Sequence, residues 1–232
     1  MKTVYSLVFG GVVALGLTAP AAEEKEEGFV PLFNGKNLDG WVYGTKGNAM
    51  KQGEGYQVDP EQKIIYCSVK DGGNLYTDKE YGDFILRFEF KLTENANNGI
   101  AIRAPLDGDA AYVGMEIQVL DDSGSNYKNL QPFQYHGSIY GVVPCKRGHQ
   151  KPVGEWNSEE ITGKGRQITV KLNGTTIVDA NLDDVKDEAI LKAHRDLSKP
   201  EGHHGIANTK GHIGFLGHGA RVEFRNLRVK AL

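Results

Sequence analysis

A nine-residue stretch of strict alternation, at residues 84–92, constrains the fold more than any other feature of the chain. Apolar residues at every second position alternate there with mostly charged ones: Phe84, Leu86, Phe88, Phe90 and Leu92 against Ile85, Arg87, Glu89 and Lys91. Successive side chains of a β-strand point to opposite faces, so the pattern predicts a strand with one buried and one mostly solvated face. This division is typical of antiparallel sheets.

Two further segments indicate antiparallel pairing. Asn173 and Gly174 separate the two halves of an alternating stretch, 167–180, and Asn-Gly is a favoured two-residue turn of β-hairpins. Apolar residues change parity within the last predicted strand, 220–230, and a bulge near Asn226 would return them to one face.

Glycine is abundant, with 30 residues in a chain of 232, against a usual background of about 7%. Glycine-rich segments between short predicted strands indicate many tight turns. This pattern predicts an all-β fold, a two-sheet antiparallel β-sandwich or jelly roll. One segment has helical spacing instead and predicts a short helix near 183–197, with apolar residues at Leu182, Val185, Ala189, Ala193 and Leu197.

The N-terminus has the pattern of a secretory signal peptide. Lys2 precedes an apolar run at 4–18, and small residues follow at 19–22. We expect a signal peptide at 1–21, an acidic linker at 22–28 and a single jelly-roll domain at 29–232. The protein would then be exported, to a periplasm or outside the cell, with no stable membrane insertion after cleavage; the rival interpretation is an uncleaved anchor.

Charge and cysteine content limit the partners and the chemistry. The chain has 27 basic and 30 acidic residues, which argues against nucleic acid as a partner because phosphate-backbone binding needs a basic face. Cys67 and Cys145 are the only cysteines, and they predict either one disulfide or two buried thiols. The oligomeric state is left open.

Three predicted strands each direct a polar side chain away from the core. Odd positions of 113–120 are apolar, so Glu116 and Gln118 would share the opposite face. By the same parity Arg103 and His218 face outward from their own strands, and Arg103 would share a surface with Glu116 if the two strands pair. The competing interpretation is a solvated face or a cross-strand ion pair.

Other candidates have weaker support. His136 and Tyr140 lie where a loop leads into a strand and could bind a polar substrate, although Tyr140 could equally pack at a sheet edge. Trp156 could stack on a sugar ring or lie in the core. Five of the seven histidines fall between 194 and 218, but their spacing matches no metal template, so a divalent metal ion is only a candidate cofactor.

Several enzyme classes lose support because their motifs are missing. The sequence has no phosphate-binding glycine loop, no G-x-S-x-G and no H-E-x-x-H. A conventional two-carboxylate glycosidase is also disfavoured, because Asp121 follows Glu116 at an odd offset and would face away from it.

In order along the chain, short motifs at 29–232 resemble the 3-keto-disaccharide hydrolase family, which has a concanavalin A-like jelly roll. The motifs are PLFNGKNLDGW (31–41), NGIAIR (98–103), MEIQVLDD (115–122), GSIY (137–140), GEWN (154–157), LNG (172–174), GHIGF (211–215), GHG (217–219) and VEFRNL (222–227). The resemblance implies cleavage of glycosides already oxidised to a ketone at C3 of the sugar, by elimination and hydration.

A C3 ketone acidifies the proton on C2, so this route needs a base, a group that stabilises the enolate and an acid for the leaving oxygen. We expect Glu116 to be the base, Arg103 or a divalent ion the stabiliser, and His218 the acid or a metal ligand. Residues expected to position the sugar are Gln118, Asp121, His136, Tyr140, Asn98 and Trp156. The alternatives are a non-catalytic glycan-binding jelly-roll module and a purely structural exported domain.

Overall fold

The computed structural model describes residues 26–44, 55–67, 72–187 and 205–232. These residues contain thirteen strands and one short α-helix. The strands are β1 (Val30–Pro31), β2 (Trp41–Tyr43), β3 (Tyr56–Asp59), β4 (Ile64–Cys67), β5 (Gly73–Tyr81), β6 (Phe84–Leu92), β7 (Asn97–Ala104), β8 (Met115–Leu120), β9 (Trp156–Lys164), β10 (Gln167–Leu172), β11 (Thr175–Asn181), β12 (Gly211–Gly217) and β13 (Val222–Ala231), and the helix is α1 (Ala110–Val113).

The strands form two antiparallel sheets, which confirms the predicted sandwich. The larger sheet has the order β11-β10-β9-β6-β13-β4-β3, with β1 paired to β13, and the smaller has the order β2-β5-β12-β7-β8. Apolar side chains of both sheets share one core. Phe215 of the smaller sheet and Phe224 of the larger stack with their ring centroids 4.2 Å apart, so the sheets pack face to face.

The sequence patterns that predicted strands are confirmed one by one. Side chains of β6 alternate between buried and partly exposed along its whole length. Asn173 and Gly174 form the hairpin turn, both with positive φ. The register of β13 shifts between Arg225 and Arg228, and Asn226 takes φ 53° there, so the predicted bulge is present.

Three predictions fall wholly or mostly on residues outside the described ranges: the signal peptide at 1–21, part of the acidic linker and most of the helix near 183–197. The described start of that helical segment is a 3-10 turn at Leu182–Asp184. No helix among the described residues is long and apolar enough to cross a membrane.

The helix α1 was not predicted, because four residues give no readable helical period. Asp109 caps its first turn by accepting a hydrogen bond from Ala111 N. The helix covers part of the outer face of the smaller sheet, where Ala110 packs in a second small apolar cluster with Tyr76 and Leu216.

Both cysteines are free thiols. Cys67 is buried at the end of β4, and burial raises its pKa to about 11. Cys145 is partly buried, and burial raises its pKa as well. Of the two sequence-based alternatives, the structure therefore shows the free thiols.

Candidate functional site

A cleft of about 230 Å³ lies over the outer face of the smaller sheet. Its floor is made by β7 and β8, one wall by the segment that contains α1, and the other wall by the loop that follows β8. Its lining residues are Asn97, Asp109, Ala111, Tyr112, Glu116, Gln118, Leu120, Tyr127, Leu130, Gln134, Tyr140 and His218.

Glu116 lies on the floor of this cleft. Its side chain crosses above Gly99 of the neighbouring strand, where a Cβ atom would come within 2.7 Å of Glu116 Cδ. The glycine therefore provides the space that the carboxylate occupies. Glu116 lines the cleft and is only 3% exposed, so its carboxylate is shielded from bulk solvent.

Gln118 faces the cleft two residues further along β8. Its Oε1 accepts a hydrogen bond from the backbone N of Val119, at 3.1 Å. Because this bond fixes which side of the amide is the acceptor, the Nε2 group is oriented as the donor toward the cleft. Glu116 and Gln118 are two residues apart on one strand face, so their backbones are spaced by about 6–7 Å and both side chains line the cleft.

The loop after β8 folds back along that strand and forms the second wall. Gly137 N donates to Gln118 O at 2.7 Å, Gln118 N donates to Ser138 O at 3.0 Å, and Tyr140 N donates to Glu116 O at 2.8 Å. These bonds bring the Tyr140 ring to the cleft, where its hydroxyl accepts a hydrogen bond from Gln134 Nε2 at 3.1 Å.

Negative charge dominates the cleft. Asp109 and Glu116 line it, and among the lining residues within the described ranges there is neither lysine nor arginine. The pKa of the Tyr112 hydroxyl is raised, first by burial and then by Tyr140 and the two carboxylates. Tyr112 therefore stays protonated and can donate a proton or a hydrogen bond.

His218 stands at the exposed mouth of the cleft, just after β12. The structure thus brings together four of the residues selected from the sequence, namely Glu116, Gln118, Tyr140 and His218. The expected pairing of β7 with β8 is also present, with Ala101 opposite Glu116.

The expectation that Arg103 shares this surface is wrong. Arg103 takes φ 49°, where the pairing of β7 with β12 is irregular, so strict alternation fails at this residue. Its buried guanidinium donates to Gly82 O at 3.1 Å and to Gly165 O at 2.7 Å, and contacts Asp83 Oδ1 at 3.2 Å. Arg103 therefore connects β7 to the turn between β5 and β6 and to the turn between β9 and β10.

Asn98 and Asp121 are buried and are not among the cleft-lining residues. Asn98 points into the core, where its Nδ2 donates to the Tyr56 hydroxyl at 3.0 Å. Asp121 accepts hydrogen bonds from Asn95 N and from the Ser123 hydroxyl, at 2.8 and 2.6 Å. Both side chains are committed to structural contacts.

His136 lies between the sheets rather than in the cleft. Its Nδ1 accepts from Leu120 N at 3.3 Å, and its Nε2 lies 3.1 Å from Glu159 Oε2. Trp156 lies at the outer face of the larger sheet, with the charged groups of Lys91 and Arg225 at 4.9 and 4.0 Å from its ring centroid. It belongs neither to the cleft nor to the core.

The cleft residues to which the sequence analysis assigned no role include Asn97, Asp109 and Tyr112. The alternation of side chains along β7 could have identified Asn97. Asn97 and Gly99 lie on one face of the strand, and the core residue Ile100 lies on the other. No sequence signal marks Asp109, whose place depends on α1. Within the described ranges, no three His, Cys, Asp or Glu side chains converge as a metal site would require.

Comparisons with known proteins agree with this architecture. A relative from Bacteroides thetaiotaomicron described as a 3-keto-disaccharide hydrolase is 26% identical over 240 residues, covering 89% of this chain and 79% of the relative. Two candidate glycosyl hydrolases from Parabacteroides distasonis have similar crystal structures, each 26% identical. Their TM-scores are 0.69 and 0.67. The structural alignments cover 92% and 88% of this chain, and 98% and 99% of the two relatives, respectively.

These matches place the chain among glycosyl hydrolase-like, carbohydrate-active domains. The model of the 3-keto-alpha-glucoside-1,2-lyase-like domain matches residues 28–230, nearly the whole chain after the predicted linker. The resemblance found in the sequence motifs is thereby confirmed, and the chain belongs to this family of 3-keto-alpha-glucoside-1,2-lyase-like domains.

Proposed function

We propose that the protein cleaves glycosides carrying a ketone at C3 of the sugar, by removal of the C2 proton, elimination of the C1 substituent and addition of water. The observation that carries the proposal is the pair formed by Glu116 and Gln118 on the cleft floor. Reaction at C2 and C3 needs a base beside a hydrogen-bond donor, because the proton leaves C2 while negative charge gathers on the C3 oxygen.

In this mechanism the Glu116 carboxylate takes the C2 proton. The electron pair forms an enolate whose oxygen accepts a hydrogen bond from Gln118 Nε2, the role that the sequence had suggested for Arg103. The C1–O bond then breaks and the aglycone leaves with a proton. Water adds across the C1–C2 double bond, so the overall change is hydrolysis to the aglycone and the 3-keto sugar.

Two groups that line the cleft, His218 and Tyr112, are the candidates for protonating the leaving oxygen. His218 stands at the mouth of the cleft, where the aglycone would emerge. Tyr112 lines the same cleft and keeps its proton because burial and the neighbouring carboxylates raise its pKa. We assign the acid role to His218, since the departing group must face solvent, and a sugar-binding role to Tyr112 and Tyr140.

The test is aglycone release from a nitrophenyl 3-keto-β-glucoside and from its unoxidised parent. We expect release from the keto substrate alone, and a solvent-derived deuterium at C2 of the product when the reaction runs in D₂O. Release from both substrates without C2 exchange would indicate ordinary glycosidase chemistry, and binding without release would indicate a glycan-binding module.

Glu116→Gln should lower turnover of the keto substrate by roughly 10²–10⁴-fold, the usual contribution of a general base. Glu160→Gln is the matched control, since Glu160 lies on the larger sheet in ion pairs with Arg87 and Lys171. If Glu116→Gln kept the turnover of that control, the base assignment would be wrong.

A further inference from the structure

The Tyr140 hydroxyl has a hydrogen-bond partner whose polarity is fixed by the fold. Gln134 Nε2 donates to this hydroxyl at 3.1 Å, and Gln134 Oε1 accepts a hydrogen bond from Gln131 N at 2.9 Å. A glutamine side chain has one acceptor oxygen and one donor nitrogen. Because a backbone N–H engages the oxygen, the amide reaches Tyr140 as a donor, and the Tyr140 oxygen is the acceptor.

The turn that carries Gln134 holds the amide in this orientation. Residues Pro132–Gln134 form a 3-10 turn, in which the side chains of Gln131 and Gln134 each accept a hydrogen bond from the backbone of the other. This reciprocal pair is a capping box, and the proline at the first position of the turn fixes its φ. Phe133 O also accepts from Gly141 N at 3.2 Å, so the turn is joined to the chain directly after the tyrosine.

The position of Tyr140 places its side chain beside the proposed base. Ile139 forms an antiparallel bridge with Ile117, so Tyr140 is opposite Glu116, and both side chains line the cleft. Directly opposite residues of an antiparallel pair have Cβ atoms about 4.5–5.5 Å apart. The phenol and the carboxylate that would remove the C2 proton therefore line the cleft from neighbouring positions.

The hydroxyl hydrogen of Tyr140 is available to an acceptor in the cleft. Among the described residues, the hydrogen-bond partner of this hydroxyl is Gln134, and Gln134 donates. A hydrogen bond to an ionised acceptor is roughly twice as strong as a neutral one. A phenol in this position can therefore stabilise a substrate oxygen on which negative charge develops.

We propose that Tyr140 and Gln118 both donate hydrogen bonds to the C3 oxygen of the sugar as the enolate forms, and that Gln134 is the positioning residue that keeps Tyr140 a donor. Tyr140 retains its proton throughout. This inference rests on the proposed function and specifies within it the sugar-binding role of Tyr140. The two donors hold the enolate oxygen while Glu116 holds the C2 proton.

The experiment measures kcat and KM with the nitrophenyl 3-keto-β-glucoside. Tyr140→Phe removes the donor and should lower kcat about 10²–10³-fold, the usual loss for one donor to an oxyanion, with KM changed less than about threefold. Gln134→Glu keeps an acceptor for Gln131 N but offers Tyr140 a carboxylate oxygen, which takes the phenol hydrogen. This variant should lower kcat at least about tenfold.

A double-mutant cycle separates positioning from a direct effect of the new charge. If Gln134 acts through Tyr140, Gln134→Glu should change kcat less than about twofold in the Tyr140→Phe background. An electrostatic effect on Glu116 or on the enolate would persist in that background. Gln134→Met, which has no amide, should lower kcat about 3–10-fold, the effect of one neutral hydrogen bond and less than that of Gln134→Glu.

Gln57→Glu is the matched control. Gln57 pairs with Tyr66 on the larger sheet, but there the hydroxyl donates and Gln57 Oε1 accepts, at 2.7 Å. A carboxylate can accept the same bond, and Gln57 is outside the lining of the cleft. The kcat and KM of this variant should therefore equal those of the unmodified protein.

Equal losses from Gln134→Glu in the two backgrounds would overturn the inference, and so would full activity of a folded Gln134→Glu variant. A thermal melt identifies loss of folding, and if Gln134→Glu does not fold, Gln134→Met in both backgrounds completes the cycle. Turnover by the unmodified protein with equal losses in both backgrounds would contradict this inference alone. Absence of keto-glucoside turnover by the unmodified protein would contradict the proposed function and this inference with it.

Discussion

His136 Nε2 lies 3.1 Å from Glu159 Oε2, and solvent reaches neither side chain to more than 1%. The contact crosses the interior, because Glu159 belongs to β9 of the larger sheet and His136 to the loop that forms a wall of the cleft. The Nδ1 of His136 accepts a hydrogen bond from Leu120 N, so Nε2 is the ring nitrogen that lies beside the carboxylate, in a close contact without hydrogen-bond geometry. The contact between His136 and Glu159 therefore joins the loop that forms the cleft wall to the larger sheet.

This buried pair predicts a large stability effect when one member is removed. Glu159→Ala should lower the free energy of unfolding by about 1–3 kcal/mol, because the buried Nε2 of His136 loses the polar group beside it. Replacing both residues, as His136→Phe with Glu159→Leu, should cost much less. Urea denaturation of the two variants tests this, and equal losses for the single and the double variant would contradict it.

The space above Gly99 predicts a second result. In Gly99→Ala the new Cβ would press on the Glu116 side chain, so turnover of the keto-glucoside should fall at least about 10²-fold through misplacement of the base. Stability should fall by only about 1–3 kcal/mol. Gly82→Ala is the control, since its nearest contact would be an ordinary 3.5 Å. Equal turnover in both variants would show that Glu116 need not occupy that space.

Arg103 should matter for stability and not for chemistry. Arg103→Ala leaves the carbonyls of Gly82 and Gly165 without their donor, at about 1–3 kcal/mol for each one that stays buried. We expect a lower melting temperature and, for the folded fraction, an unchanged rate with the keto-glucoside. A specific loss of turnover at full stability would return Arg103 to the catalytic role that the sequence suggested.

Glu26 predicts a pH dependence. Hydrogen bonds from Arg228 lower the pKa of this carboxyl from 4.5 to about 2, with Arg87 assisting. A lowered pKa stabilises the fold above pH 4.5, and the contribution is lost as the pH falls toward 2. Because Glu26 is 38% exposed, solvent screening holds the contribution to about 1 kcal/mol or less.

The measurement compares Glu26→Gln with Glu27→Gln by denaturant unfolding between pH 2 and 7. Only Glu26→Gln should be less stable than the unmodified protein above pH 4.5, and its deficit should shrink as the pH approaches 2. A deficit that persisted unchanged at pH 2 would mean that the charge of Glu26 is not its cause.

Much of the fold and the centre of the site were predictable from the sequence. The alternation of apolar and polar residues depends only on neighbouring residues, and the folded strands keep it. The parity of 84–92 gave the faces of β6, and the parity of 113–120 put Glu116 and Gln118 on the same outer face. The Asn173-Gly174 turn and the bulge at Asn226 are also encoded by a few adjacent residues. In each case the local geometry and the burial of one face agree.

The errors have physical causes that alternation cannot reveal. Arg103 leaves the expected face because its left-handed backbone conformation shifts the pattern. Asn98 was selected in place of Asn97, a one-residue error that exchanges the core for the cleft. His136, Trp156 and Asp109 depend on contacts between segments far apart in sequence, which only the assembled sheets define.

Glu116 belongs to β8, the edge strand of the smaller sheet. An edge strand normally has unpaired backbone N–H and C=O groups, with which a strand of another chain can pair. Residues 137–140 occupy that margin through their bonds to Glu116 and Gln118. The hydrogen bonds between this loop and β8 therefore both form the wall of the cleft and block the addition of another strand at the sheet edge. A sequence change in this loop would alter the protection of the sheet edge and the shape of the cleft together, so the two properties are not free to vary independently.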